Sequence, residues 1–180
     1  MLGRLARWLR LLGFDCAWEH DIADEVLIRR ATAEGRIVLS RDRALTEEWR
    51  ISGIHWVDAE KVREQLAEVV RAFDLAPDIR LLSRCSHCNA PLAPAALGDV
   101  VDRVPPRGLE RHDVFSACPA CMRVYWEGTH TARIKRFVDE PLARLSKRSS
   151  HPLSPGPQAA AWAGVYISRT PVRGRPERDR

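Results

Sequence analysis

Gly35-Arg36-Ile37-Val38-Leu39-Ser40-Arg41-Asp42-Arg43 is the stretch that decides the fold. Residues 36–40 run on without polar alternation, which predicts a strand buried on both faces, as in a parallel sheet. Gly35 before it is a natural helix stop. The polar residues after it emerge at the carboxyl edge, where open α/β sheets place their ligands. Asp42 is therefore the first catalytic candidate.

Upstream, a helix starting at Asp21 or Asp24 runs through Val26, Leu27 and Ala31 to Gly35, with acidic residues at its start placing negative charge at its positive end. Residues 14–18 read as a short strand, with Cys16 a small core residue. Residues 2–12 predict another helix, with Leu2, Leu5, Ala6, Leu9 and Leu12 on one stripe and Arg4, Arg7 and Arg10 on a second flank. Downstream, residues 44–50 read as a short helix, 54–57 as a strand and 59–73 as a helix with Val62, Leu66, Val69 and Phe73 along one face. An α/β sheet normally opens with a strand, whereas this order opens with a helix. The place of a first strand is left vacant.

Cys85/Cys88 and Cys118/Cys121 form two Cys-X-X-Cys pairs, followed closely by Tyr125-Trp126-Glu127-Gly128-Thr129-His130. Two knuckles that each bring two thiolates to one edge of a tetrahedron meet the closed coordination of a structural zinc. Two disulfides or four unrelated buried thiols are the competing readings. Disulfides need an oxidising compartment, and the chain opens on an arginine-rich amphipathic stretch with no apolar secretory or membrane-spanning run. The expectation is a cytoplasmic protein with reduced thiols, no membrane span and no small-molecule cofactor, its oligomeric state open. Asn89 suits a left-handed turn after the first knuckle; Met122 fills the equivalent place of the second less comfortably.

Charge is unevenly spread. Residues 1–84 carry 14 Lys/Arg and 15 Asp/Glu, residues 85–148 carry 10 and 7, and residues 149–180 carry 5 and 2. The positive excess falls on the cysteine-bearing module and the tail, which makes that module a candidate nucleic-acid grip. Residues 149–180 are rich in Pro, Gly and Arg and lack periodicity, so disorder is expected there. Within them, the island Trp162-Ala163-Gly164-Val165-Tyr166-Ile167 has the strand propensity to fill the vacant place, a reading ranked below disorder.

The segments Met1-Leu2-Gly3-Arg4-Leu5-Ala6-Arg7-Trp8-Leu9-Arg10-Leu11-Leu12-Gly13-Phe14-Asp15 and Gly35–Arg43, the pair Cys85…Cys88-Asn89, and Phe115…Cys118-Pro119-X-Cys121…Val124-Tyr125-Trp126-Glu127-Gly128-Thr129-His130 together resemble the Mut-seven C-terminal RNase domain family. The resemblance implies an α/β, PIN-like three-layer domain with a parallel sheet over residues 1–84, lacking its first strand. A small β-rich zinc ribbon with a closing helix over residues 85–148 would follow. It also implies RNA as partner and metal-dependent cleavage by a cluster of carboxylates.

By motif, Asp42 matches the family's Arg-Asp position and Asp24 the acidic start of the second helix, with Asp21 the weaker alternative. A helix cap for Asp24 and a loop role for Asp21 compete with those assignments. Phosphodiester hydrolysis needs an ionised water and neutralisation of growing phosphate charge, which magnesium or manganese held by aspartates supplies. Family members typically place a buried strand ending in aspartate before the residues matching Met1 to Gly3. The departure here predicts weak or absent cleavage.

Arg41 and Arg43 flank the candidate site and suit phosphate. Arg4 and Arg7, with Arg10, suit an RNA backbone, and His130, with Tyr125 and Trp126, a base or phosphate. Ion pairing, a solvated helix face and aromatic packing of the ribbon onto the α/β domain are the structural alternatives. The rival functional class is a noncatalytic RNA-binding zinc-ribbon module with a vestigial acidic pocket.

Overall fold

The computed structural model describes residues 2–48, 53–128, 131–132, 134–137 and 165–167. Helix α1 (Gly3–Leu11) buries Leu5, Ala6 and Leu9 as its stripe requires. Gly13 follows at φ 98, where a Cβ would run into the Arg80 carbonyl. Only glycine lets the chain lie so close: Arg80 N–H donates to Leu12 O at 2.8 Å and Leu82 N–H to Leu11 O at 3.0 Å. Then come β1 (Cys16–Trp18), α2 (Asp24–Glu34), β2 (Ile37–Ser40), α3 (Arg43–Glu48), β3 (Ile54–Trp56) and α4 (Val62–Ala72). Gly35 closes α2 in the left-handed region at φ 64, the conformation a helix C-terminus favours.

The strands form one parallel sheet in the order β1-β7-β2-β3, where β7 is Val165–Ile167. Three residues of the stretch expected to be disordered thus occupy the vacant strand place. The reason is topological. Neighbouring strands lie about 4.8 Å apart, and β1 and β2 pair with β7 rather than with each other. Without β7, both would carry unpaired amides and carbonyls into the interior. Val165 N–H also donates to the Asp15 carbonyl at 2.9 Å. The rest of residues 149–180, with the disorder expected for them, lies outside the described residues.

Side chains alternate across this sheet into two cores. Val165, Cys16 and Leu39 join Leu5, Leu9, Leu66 and Val69 of α1 and α4 on one face. Tyr166 and Val38 join Leu27, Ile28 and Ala31 of α2 and Leu45 of α3 on the other. The double burial expected of residues 36–40 is realised, each fully buried aliphatic contributing roughly 1.5–3 kcal/mol. Among the described residues, no helix is long and apolar enough to cross a membrane.

A second, antiparallel sheet is built from β4 (Ala93–Ala95), β5 (Phe115–Ala117) and β6 (Val124–Trp126), in that order. Between β4 and β5 lie the short helices α5 (Leu97–Val100) and α6 (Pro106–Leu109). Val100, Val104, Phe115 and Trp126 give this lobe a core of its own. Residues 131–132 and 134–137 are helical and return the chain to the α/β lobe. There Ile134 enters the core, and Phe137 stacks on Trp8 with centroids 3.9 Å apart.

Candidate metal centre and acidic rim

Each Cys-X-X-Cys pair closes a tight turn with the same bonds. Cys85 N–H donates to Ala90 O and Asn89 N–H to Cys85 O, both at 2.9 Å; Cys118 N–H donates to Arg123 O and Met122 N–H to Cys118 O, both at 2.9 Å. Asn89 and Met122 fill the left-handed positions at φ 71 and 60. The two turns bring all four Sγ atoms within 4.8 Å of one another, with Cys85 to Cys121 at 3.4 Å and Cys88 to Cys118 at 3.3 Å. A tetrahedron of zinc–sulfur bonds of about 2.3 Å has edges of about 3.8 Å, so the tetrad fits a structural zinc.

The Tyr125 hydroxyl lies 3.1 Å from Cys85 Sγ and accepts the Ser86 N–H at 3.2 Å. Burial raises the Cys85 thiol, but the Cys88 N–H, the Tyr125 hydroxyl and the His87 N–H outweigh it and bring it down to about 6. Cys88 goes the other way: the Ala90 N–H favours its thiolate, yet burial and the neighbouring sulfurs push it up to about 12. Cys85 and Cys88 are thus pushed in opposite directions, and loading a metal, which binds thiolates, must release protons. Cys16 is pushed up to about 12 by complete burial and is an inert core thiol.

Because the four strands are parallel, their carboxyl ends share one rim. Asp42 follows β2 there. Its N–H donates to Ser40 Oγ at 3.0 Å, and its Oδ1 accepts the Ala44 N–H at 2.9 Å, capping α3. Asp24 is the half-buried first residue of α2; the cap position itself is Ala23, so the cap role considered for Asp24 falls one residue earlier. Asp21 is exposed at φ 60 and touches His20 Nδ1. Among the described residues, the thiolate tetrad is the only group of three or more His, Cys, Asp or Glu side chains gathered tightly enough to hold a metal ion. Asp21, Asp24 and Asp42 share the rim without forming such a group. Their donor chemistry is carboxylate oxygen, which suits magnesium, an ion that takes one or two carboxylates and keeps several waters.

Arg4, Arg7, Arg41 and Arg43 are exposed. Arg43 stacks over Trp56, its Cζ 4.2 Å from the ring centroid. Arg10 leaves the basic flank it was expected to share: it is 5% exposed. With about 3.6 residues per turn, each third residue falls some 60° behind the last, which carries Arg10 from the face of Arg4 into the interior. His130 lies outside the described residues. Tyr125 and Trp126 serve the ribbon, one at the knuckle and one against Phe115; Trp8 stacks on Phe137 of the returning helix.

A polar junction at the amino end of β1 escaped the sequence reading. Asp15 accepts from Arg36 Nη1 at 2.6 Å and from Asn89 Nδ2 at 2.8 Å, and pairs with Arg84 at 3.2 Å. Asn89 Oδ1 accepts the Cys16 N–H at 3.0 Å. Arg36 also bonds Glu34 at 2.6 Å and lies over the Tyr166 ring, whose hydroxyl donates to Glu34 at 3.1 Å. These partners come together from positions up to 132 residues apart, so no local pattern announces them.

A family model described as the Mut7-C RNAse domain matches residues 1–138. No curated protein and no solved structure matches the chain.

Proposed function

The chain belongs to the Mut7-C RNAse domain family, and from that premise we propose that it is a metal-dependent ribonuclease working at the carboxyl rim of its parallel sheet. The observation that carries the reading is the position of Asp42, directly beyond the buried strand β2, on the same rim as Asp24. Ser40 and Ala44 fix the Asp42 loop through the two short hydrogen bonds on either side of it. Asp42 and Asp24, with Asp21 as the alternative to Asp24, would hold magnesium or manganese. When bound, such an ion supplies a water ionised near neutral pH and positive charge for the phosphate oxygens. Arg41 and Arg43 would position the phosphodiester, Arg being matched to paired phosphate oxygens. Slow cleavage is expected, because the central strand β7 consists of Val165, Tyr166 and Ile167 and adds no carboxylate.

That same observation favours a second reading. With the Asp42 carboxylate engaged at the start of α3 and, among the described residues, no tight group of three acids around it, the rim would be vestigial and the protein a noncatalytic RNA-binding module built on its zinc ribbon. Asp42→Asn separates the two, since asparagine caps a helix as well as aspartate does but lacks the negative charge. Under the first reading the parent cleaves single-stranded RNA only with magnesium or manganese, D42N does not, and both retain RNA in a gel-shift assay. Cleavage by D42N at the parent rate overturns the assignment of Asp42. RNA retention by the parent with no metal-dependent cleavage selects the second reading.

A further inference from the structure

Arg10 is a buried cation whose acceptors among the described residues are all neutral carbonyls. Its Nε donates to Cys16 O at 2.7 Å, and its Nη1 to His87 O at 2.7 Å and Ser86 O at 3.4 Å. Burying a charge is costly unless opposite charge compensates it. Two of those carbonyls belong to the Cys85/Cys88 knuckle. Four thiolates around one zinc ion leave a dianion, so a loaded knuckle presents negative charge beside Arg10. Asn89 makes the second link. Its backbone holds the left-handed position that closes the knuckle, while its side chain accepts the Cys16 N–H and donates to Asp15. The N–H and C=O of Cys16, the first residue of edge strand β1, are thus both bonded to groups anchored on the metal-binding turn.

We propose that the metal centre extends into the α/β lobe through Arg10 and Asn89, so that zinc occupancy and the seating of β1 in its sheet are coupled. The coupling is reciprocal, as any linkage between two equilibria must be. Zinc holds the knuckle in the shape that grips Cys16, and Arg10 lowers the free energy of the charged tetrad.

The test uses the full chain loaded with zinc. Transfer of zinc to a chromophoric chelator is followed for the parent, Arg10→Met and Asn89→Gly, and amide hydrogen exchange is followed over residues 16–18 with and without zinc. Coupling of ordinary size makes the two variants lose zinc about 5- to 100-fold more readily. It also makes the β1 amides of the parent exchange faster once zinc is removed, whereas in the variants they exchange fast even with zinc present. Asn89→Gly keeps the left-handed turn and the buried arginine, so it carries the test if Arg10→Met does not fold. Zinc retention equal to the parent's in Asn89→Gly, or β1 protection indifferent to zinc in the parent, overturns the proposal.

Discussion

Asp15 ionises more easily than an isolated carboxyl in spite of its burial. Burial pushes its pKa up, but hydrogen bonds from Arg36 and Asn89 and the charges of Arg36 and Arg84 outweigh that and hold it below the ordinary 3.8. A carboxylate with a depressed folded pKa stabilises the fold at every pH above its unfolded value, and that stabilisation is lost as pH falls through the folded one. Asp15→Asn should therefore be destabilised at neutral pH, with the gap to the parent closing as the medium is acidified below about 3.8. Urea unfolding of both proteins along a pH series measures this, and a gap that is constant down to the acid limit would refute it. Met122 makes an opposite prediction. It is an exposed, unbranched residue held at φ 60, where an L side chain other than Asn or Asp costs about 1 kcal/mol or more. Met122→Asn should raise the zinc-loaded protein's stability by about 1 kcal/mol, read as a higher denaturant midpoint at unchanged slope. The cysteines and the strain at Met122 were legible because spacing within four residues encodes them. The bonds of Arg10 to the knuckle and of the Asn89 side chain to Asp15 and Cys16 were not, because they join residues 73 to 77 positions apart.

At the scale of elements, periodicity located the helices and strands of residues 2–72 to within a few residues, since each buries one apolar stripe or run against a neighbour. It also revealed that the sheet wanted another strand, but could not say which segment supplies it. Three residues in a Pro- and Arg-rich context carry no period; the demand for β7 comes from β1 and β2, which are far away in sequence. The strand should then be energetically expensive to damage. Val165 is fully buried between the strands and α1, so Val165→Asp strands a carboxylate in an apolar core and should abolish cooperative thermal unfolding. Tyr166→Phe removes only the hydroxyl that donates to Glu34 and should cost about 0.5–1.5 kcal/mol. Similar small effects from both would mean that β7 is dispensable to the sheet.

The whole molecule sets two chemistries at opposite ends of one short strand. The metal-binding ribbon docks at the amino end of β1, through Cys16, whereas the aspartates of the candidate nuclease site stand at the carboxyl end of the sheet. A three-residue strand rises only about 10 Å, so the two ends of β1 are not far apart. Residues 1–84 are nearly neutral, and the positive excess of residues 85–148, 10 Lys/Arg against 7 Asp/Glu, falls after the ribbon's last strand: residues 85–128 carry 4 and 5, residues 129–148 carry 6 and 2. If the exposed arginines of the ribbon grip the RNA while the rim does the chemistry proposed for it, the two should be separable. Arg107, Arg111 and Arg123 are exposed on the ribbon; replacing all three by glutamine removes charge without disturbing a core. If they contact the RNA backbone, binding should weaken across sequences alike, and the slope of log affinity against log salt should fall by about 2 for single strands. Cleavage of RNA at saturating concentration should persist at the parent rate, because the rim is untouched. A salt slope that does not change in the triple variant would locate the grip elsewhere, and a lost maximal rate with intact affinity would show that the ribbon takes part in the chemistry itself.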